Sequence, residues 1–318
     1  MASEKLTHQS YRIGWICPLE VEQLAATEML DVQHEPLAQA SSDHNSYTLG
    51  SINGHNVVIA GLPEAGNNSA AVVITQMRMT FKNLRYGLLV GIGGGVLVET
   101  DEGLIRLGHV VVSKPTGIHS GAVQYDHGKA KEGQFERTGS LMKPPTTLLN
   151  AAQTLAVKHA RLNEDTVWKD IQRIQSQSRR LKKFRFPGID KDHLYEAGYK
   201  HHQEAASCDQ HCDPQQRIER PADEDEKFVV VHRGTIASGE KVMKNALKRD
   251  GLAKENGLLC FEMEAAGALA DFPCMVIRGI SDYCDSHKNN DWHGYAAAAA
   301  AAYARQLFFH LPIEADER

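Results

Sequence analysis

Short apolar segments alternate with helix-forming segments along the chain, and this alternation limits the architectures that it can adopt. Residues 11–17, 87–92 and 275–280 are short, apolar and rich in branched side chains, which is typical of buried strands. Seven consecutive alanines, Ala296 to Ala302, predict a helix, because alanine has the highest helix propensity. Strands that alternate with helices usually form a sheet covered by helices. The sequence therefore predicts an α/β fold with a largely parallel sheet.

A β-hairpin is predicted near the amino terminus. Asn53-Gly54 separates the apolar runs 47–52 and 55–60, and this dipeptide is favoured in the tight turns of hairpins. The remaining predicted elements are helices over 19–26 and 69–82 and strands over 110–113 and 228–232.

Residues 161–227 are more polar than the sequence on either side. We interpret them as an insertion within one domain of residues 1–318. About 65 residues with few apolar anchors could not bury a core of their own. Long insertions in compact folds often have a functional role, so this segment is a candidate for contact with a ligand.

Composition excludes several classes of protein. Hydrophobic residues make up 42 % of the chain and charged residues 24 %, as in soluble globular proteins. The net charge of −5 does not indicate a nucleic-acid partner. No apolar run approaches the ~20 residues that cross a bilayer, and the first ten residues lack the apolar core of a signal peptide. Four of the six cysteines have apolar or small neighbours, which indicates free buried thiols in a reducing compartment, so we expect a cytoplasmic protein. Cys208 and Cys212 could form a disulfide or remain two plain thiols.

Four groups of residues could carry chemistry, and three of them follow predicted strands. They are Glu20 with Glu22, the glycine run Gly91–Gly95, the acidic pair Glu262 and Glu264, and the segment Arg278–Asp282. Ligands of parallel sheets bind beyond the carboxyl ends of the strands, so these groups could converge on one site.

Each group also has a purely structural interpretation. Glu22 could be a first-turn carboxylate that interacts with a helix dipole, and Asp282 could cap the next helix. The glycine run could be a tight turn between a strand and a helix, and its spacing does not match a dinucleotide-binding loop. Glu262 and Glu264 would point to the same side in a strand but diverge in a helix.

Taken together, these groups resemble the nucleoside phosphorylase/nucleosidase superfamily in composition and in order. The similar segments are Ile13–Glu22, Gly91–Gly95, Ala237–Gly239, Phe261–Gly267 and Arg278–Asp282. Four more, 121–126, 135–140, 272–274 and 285–288, resemble a phosphorylase-like domain of fungal proteins. That domain occurs alone or ahead of innate-immunity-like NTPase and repeat modules. We expect this chain to be a free-standing member.

The resemblance implies a three-layer α/β/α fold with a central mixed, partly closed sheet. It also implies cleavage of an N-glycosidic bond through an oxocarbenium-like transition state. Asp282 matches the acid that meets N7 of a purine, a role that needs a closed apolar pocket. Glu264 matches the ligand of the ribose 2′- and 3′-hydroxyls, and Glu22 the carboxylate that activates water. Further substrate contacts are expected from Phe261, Glu262, Met263, Gly93, Gly94 and Ser281.

Hydrolysis is favoured over phosphorolysis. A phosphorylase needs cations and hydroxyls around inorganic phosphate. After the first strand this chain offers Glu20 and Glu22 and no arginine, and Ile92 stands where a serine is common in phosphorylases. Carboxylates repel phosphate. A phosphate-dependent phosphorylase and an inactive nucleotide-binding module remain as alternatives.

The expected substrate is an adenine nucleotide or nucleoside, ATP or adenosine, because some relatives of this domain remove adenine from ATP. The basic residues of the insertion, including His201, Arg217 and Arg220, either hold 5′-phosphates or form a solvated face.

No metal or other cofactor is predicted. Cys208 and Cys212, with His201 nearby, could suggest zinc, but Cys-x3-Cys has no second matching pair in the sequence. The resemblance implies a homo-oligomer with no nucleic-acid or membrane partner.

Overall fold

A computed structural model describes residues 6–177, 179–201, 208–221 and 228–312. The strands are β1 (Ile13–Cys17), β2 (Val32–Gln33), β3 (Tyr47–Ile52), β4 (His55–Gly61), β5 (Tyr86–Gly95), β6 (Glu99–Thr100), β7 (Gly103–Leu104), β8 (Val110–Ser113), β9 (Ala122–Gln124), β10 (Gly128–Lys131), β11 (Gln134–Arg137), β12 (Val231–Ser238), β13 (Leu258–Glu262) and β14 (Cys274–Asp282). The helices are α1 (Glu20–Glu28), α2 (Asn67–Thr80), α3 (Thr146–His159), α4 (Thr166–Gln177), α5 (Cys208–His211), α6 (Ala246–Asn256), α7 (Ala265–Ala268) and α8 (His293–Phe308).

The central sheet is mixed and partly closed, as predicted. Its strand order is β13-β12-β8-β14-β5-β1-β4-β3-β2, and β9 also pairs with β12. The strands around the centre, β4, β1, β5 and β14, run parallel, whereas β8 pairs with β14 in the antiparallel sense. β13 pairs with β12 and, through Cys260 and Phe261, with the end of β5. This second pairing folds the sheet back on itself beside the ends of β5 and β14.

Helices cover both faces of the sheet, which confirms the three-layer α/β/α fold. On one face, α1, α3, α4 and α8 belong to the same apolar cluster as Trp15 and Leu88. On the other face, α2 and α7 contribute to a cluster that contains Ile16, Val73 and Leu89. Within the described ranges no helix combines the length and the hydropathy needed to cross a membrane.

Most of the predicted elements are present, with shifted ends. The hairpin of β3 and β4 is confirmed, since Asn53 and Gly54 both have positive φ angles of 47° and 79°. The prediction of a strand over 228–232 is wrong at both ends, because β12 begins at Val231 and continues to Ser238. The glycine run is not a turn: β5 continues in extended conformation through Gly95.

The first part of the predicted insertion belongs to the helical layer. Ile171 and Ile174 of α4 are fully buried, and Leu181 and Phe184 in the short 3-10 helix Arg179–Phe184 are also buried. Both elements pack against α8. The sequence predicted few apolar residues able to pack against the core between 161 and 227. This prediction is wrong for residues 166–184. A narrow apolar stripe on one side of an otherwise polar helix is enough to bury it.

The close approach of α8 to β14 depends on a glycine. A Cβ atom on Gly279 of β14 would overlap the backbone carbonyl oxygen of Ala296 in α8. Because the obstacle is backbone, we expect Gly279→Ala to lower the free energy of unfolding by about 2–3 kcal/mol in denaturant titrations. Gly251→Ala is the control, since a Cβ there meets nothing within 4 Å in α6. It should raise stability by about 0.5–1 kcal/mol. Equal stabilities for the two variants would contradict this packing.

Candidate active site

The ends of β1, β5, β13 and β14 surround a cavity of about 210 Å³. The predicted convergence of the four sequence groups is therefore observed, except for Glu20, which does not line this cavity. The residues that line it include Leu19, Glu22, Ala65, Ile92, Gly93, Gly94, Lys241, Met243, Phe261, Glu262, Met263, Glu264, Arg278, Ser281, Asp282, Cys284, Lys288 and His293.

Glu22 projects into this cavity from the first turn of α1. The Ile92 N–H donates to its Oε1 at 2.7 Å, and the Leu19 N–H donates to its Oε2 at 2.6 Å. Burial raises the pKa of this carboxyl from 4.5 to about 8, although the nearby Arg278 guanidinium acts in the opposite direction. A first-turn carboxylate exposed to solvent would show neither the burial nor the bond to β5. Glu22 is therefore poised to gain or lose a proton near neutral pH.

Glu262 and Glu264 hold different backbone groups because the chain passes from strand to helix after them, although both carboxylates reach the Arg278 guanidinium. Glu262 ends β13 and accepts hydrogen bonds from the backbone N–H groups of Glu264 at 3.0 Å and Ala265 at 2.9 Å. It therefore holds the start of α7. The Oε1 of Glu264 accepts from the Gly66 N–H at 3.1 Å, and burial raises the pKa of this carboxyl to about 7. Glu264 is thus the member of the pair available to a ligand.

The sequence interpretation gave no role to Arg278, whose side chain lies at the centre of the cluster. It is fully buried, pairs with Glu262 and donates to Glu264 Oε2 at 3.1 Å. The charge of Glu22 also acts on it. Three buried carboxyls then share one guanidinium, so full ionisation would leave uncompensated negative charge, and the carboxyls compete for protons. The sequence signal that could have pointed to this role is a single arginine within a run of apolar residues.

The glycine run makes room for these side chains. A Cβ on Gly91 would lie 2.5 Å from Glu22 Oε1 and would overlap the Arg278 guanidinium. A Cβ on Gly94 would lie 2.7 Å from Asp282 Oδ1. The run therefore lets charged groups of α1 and β14 approach the backbone of β5.

Asp282 ends β14 and does not cap a helix, because α8 begins eleven residues later at His293. The Cys284 N–H donates to its Oδ1 at 2.9 Å, and the Ser281 hydroxyl donates to its Oδ2 at 3.0 Å. The Lys288 ammonium also pairs with Oδ2. The sequence interpretation placed this carboxyl in a closed apolar pocket; in the structure Asp282 is held by a cation and two hydrogen-bond donors.

The other predicted substrate contacts outside the insertion are found in this cavity. Phe261, Met263, Gly93, Gly94 and Ser281 all line the cavity, as expected of substrate contacts. The sequence interpretation also assigned no role to Lys241, Met243, Cys284 and His293, which line it as well.

Among the described side chains of the insertion, no basic residue lines this cavity. Arg217 pairs with Asp209 at 3.4 Å. Arg220 pairs with Asp192 at 2.9 Å and donates to the Tyr283 hydroxyl at 2.7 Å. His201 lines a second cavity of about 830 Å³, which shares Ser281, Asp282 and Lys288 with the first. Of the three, His201 alone faces a cavity that adjoins the site. His202, in the same basic group, lies outside the described residues.

Comparison with known proteins gives one family. A family model described as the phosphorylase superfamily matches residues 13–308. A nucleotide-binding leucine-rich repeat (NLR)-like protein of Hyaloscypha variabilis is 45 % identical over 306 residues, which is 95 % of this chain and 29 % of that protein. The ATP nucleosidase Cap17 of Escherichia coli is 32 % identical over 93 residues, which is 27 % of this chain and 18 % of that protein. The chain thus spans less than a third of the length of either relative.

Solved structures with the same fold are nucleosidases. Futalosine hydrolase of Helicobacter pylori matches with a TM-score of 0.61 and 16 % identity, over 96 % of this chain and 100 % of that one. A 5′-methylthioadenosine nucleosidase of the same organism, solved with 5′-methylthioadenosine in its active site, matches with a TM-score of 0.60 and 15 % identity. It covers 95 % of this chain and 99 % of its own. At these identities the likeness concerns the fold.

Proposed function

The chain belongs to the phosphorylase superfamily, and from this premise we propose that it is a purine nucleosidase. It hydrolyses the N-glycosidic bond of an adenine nucleotide or nucleoside, releasing adenine and the ribose product. The observation that carries the proposal is the meeting of Glu22, Glu264 and Asp282 in one cavity, although they come from three separate segments. A binding module would need no such set of buried carboxyls.

Each carboxyl has one task in this reaction. Cleavage moves positive charge onto the ribose and negative charge into the base, so the site must stabilise both. Asp282, once it has taken up a proton, transfers that proton to the departing purine or donates a hydrogen bond through it. Glu264 accepts the ribose hydroxyls, and its negative charge stabilises the cationic sugar. Glu22, once ionised, removes a proton from the water that attacks C1′.

The charge of the cavity favours water over phosphate as the nucleophile. Arg278 is already paired with Glu262 and Glu264, and Lys288 with Asp282. A phosphate ion beside Glu22 and Glu264 would meet carboxylates and compete with them for these cations. Water carries no charge, so these carboxylates do not repel it.

Adenine as the base is proposed from similarity. One relative is named an ATP nucleosidase, and one structural neighbour was solved with 5′-methylthioadenosine in its active site. The assignment of a 5′-phosphate group to Arg217, Arg220 and His201 also remains a proposal. For the two arginines it requires an exchange of their present carboxylate partners for phosphate oxygens.

Chromatography of ATP, AMP, adenosine, inosine and uridine after incubation with the protein tests the function. We expect free adenine without added phosphate. Base release only with phosphate would make the protein a phosphorylase, and release from no substrate would favour the binding module.

In Arg217→Met, the preference for ATP over adenosine should fall about tenfold or more, since hydrogen bonds to charged groups contribute about 1.5–3 kcal/mol. An unchanged preference would remove Arg217 from the phosphate site.

A further inference from the structure

Three metal-ligating side chains meet in the insertion beside the second cavity. His201 Nδ1 lies 3.1 Å from Cys212 Sγ and 3.9 Å from Cys208 Sγ, and all three atoms lie within 4.8 Å of one another. We propose that His201, Cys208 and Cys212 bind a thiophilic divalent metal ion of the zinc type, with His287 as the fourth ligand. This proposal differs from the sequence prediction, which included no metal site.

The distances suit a tetrahedral ion. Zinc binds cysteine sulfur at about 2.3 Å and histidine nitrogen at about 2.0–2.1 Å, so sulfur and nitrogen atoms around one ion lie roughly 3.6 Å apart. The two observed separations, 3.1 and 3.9 Å, lie on either side of this value. For His201, Cys208 and Cys212 only small side-chain movements are needed to accommodate an ion, whereas His287, whose nitrogens do not lie within 4.8 Å of all three ligand atoms, has to move further.

Local structure places the two thiols together. Cys208 begins the short helix α5, and the Cys212 N–H donates to the Cys208 carbonyl at 3.0 Å, which completes one helical turn. Residues four apart in a helix lie on the same side. The spacing Cys-x3-Cys therefore presents two thiols to one point, and the third ligand comes from a residue before the helix. Both cysteines are free thiols in the structure.

His287 supplies an independent indication of a missing ligand. It is 6 % exposed, and neither ring nitrogen has a hydrogen-bond partner among the described residues. Its ring stacks on Tyr195 at 4.0 Å and lies 5.6 Å from the ring of His201. Buried polar atoms without partners are costly, so such a ring calls for an ion or a water molecule. Asp285 Oδ2, 3.7 Å from Nδ1, could orient the ring by accepting from that nitrogen while the other binds the metal.

The proposed metal would tie the insertion to the active-site loop. The His201 N–H donates to the Ser286 hydroxyl at 2.9 Å, so the cluster already contacts the segment after β14. The same segment carries Lys288, which pairs with Asp282. An ion shared by His201 and His287 would fix this connection. The inference uses none of the three catalytic carboxyls and does not depend on the proposed function. Its metal would occupy Nδ1 of His201 and leave only the other ring nitrogen for the proposed 5′-phosphate.

Metal analysis of the full chain, purified without chelators and dialysed against metal-free buffer, tests the site. We expect about one zinc per chain in the unaltered protein and almost none in Cys208→Ser/Cys212→Ser. His211→Ala is the matched control, because His211 is exposed on the same helix and lies outside the cluster; it should keep its zinc. Replacement of zinc by cobalt should give a thiolate-to-cobalt charge-transfer band that the double variant lacks.

Two results would overturn the proposal. One is a wild-type protein that retains no stoichiometric zinc or cobalt after loading with a small excess of the ion. The other is an intact mass, measured without reductant, that indicates a Cys208–Cys212 disulfide in the freshly purified protein. His287→Gln should lose zinc to a competing chelator at about tenfold lower chelator concentration than the unaltered protein. No difference would remove His287 from the ligand set. Circular dichroism of each variant separates loss of metal from loss of fold.

Discussion

Glu22→Gln is expected to lower kcat for glycoside hydrolysis by about 10²–10⁴-fold, the usual contribution of a general base. Glutamine is nearly isosteric, so KM should change little, although its single carbonyl oxygen can keep only one of the two hydrogen bonds from Ile92 and Leu19. Steady-state kinetics of adenine release measure both constants. Glu20→Gln is the control, since Glu20 is exposed and does not line the cavity; its kcat should stay within twofold of the unaltered value.

The pH dependence of the reaction should follow from the same carboxyl. Burial raises the pKa of Glu22 to about 8, and a general base works only when ionised. In the unaltered protein kcat/KM should therefore rise with pH, reach half its maximum near pH 8 and level off about one pH unit higher. Glu22→Gln should lack this rise. A rise that persists in the variant would assign the ionisation to another group and contradict the role of Glu22.

The free energy of unfolding, unlike kcat/KM, should fall as the pH rises. The folded protein binds the Glu22 proton more tightly than the unfolded chain, whose carboxyl has a pKa near 4.5. Below that pH both states are protonated and the residue contributes no difference. Between pH 4.5 and 8 the unfolded state loses the proton first, so the unaltered protein loses stability. The free energy of unfolding of Glu22→Gln should thus equal that of the unaltered protein at pH 4. At pH 9 it should be higher than that of the unaltered protein, by at most about 5 kcal/mol.

The strands that form the core could be predicted from the sequence. β1, β8 and β14 are apolar and short, and the Asn53-Gly54 turn fixes one hairpin by its backbone preference alone. Their order predicts which strand ends meet, so the convergence of Glu22, Glu264 and Asp282 could also be anticipated. The assignment of roles to these three came from resemblance to a family and not from periodicity.

The pairing of charges could not be read in the same way. Arg278 meets Glu262 and Glu264 only because β14 and β13 both lie beside β5 in a partly closed sheet. Local sequence holds no information about such contacts. The same limit applies to α4, because the average composition of its segment is polar and conceals the apolar stripe along one side of the helix. In each case tertiary packing supplies the partner.

Asp282→Asn is expected to reduce kcat for adenine release by about 10²–10⁴-fold while leaving binding of the purine nearly intact. The asparagine can keep the contacts with the Cys284 N–H and the Ser281 hydroxyl, but it cannot transfer a proton. Lys288 loses its ionic partner, yet its side chain is 24 % exposed, so water compensates for most of the loss. Calorimetric titration with adenine measures binding independently of turnover. Ser281→Ala, which removes one hydrogen bond to the carboxylate, should lower kcat by about tenfold at most.

The choice of leaving group separates an acid from a merely structural carboxylate. 4-Nitrophenyl β-D-ribofuranoside releases a phenolate that departs without being protonated, so an enzyme that lacks its acid should still cleave it. If Asp282 protonates the purine, Asp282→Asn should lose activity on adenosine and retain most of its activity on this glycoside. Glu22→Gln should lose activity on both, because both reactions need the water that Glu22 activates. Equal losses on the two substrates in Asp282→Asn would show that Asp282 positions the site through Lys288 and does not act on the leaving group.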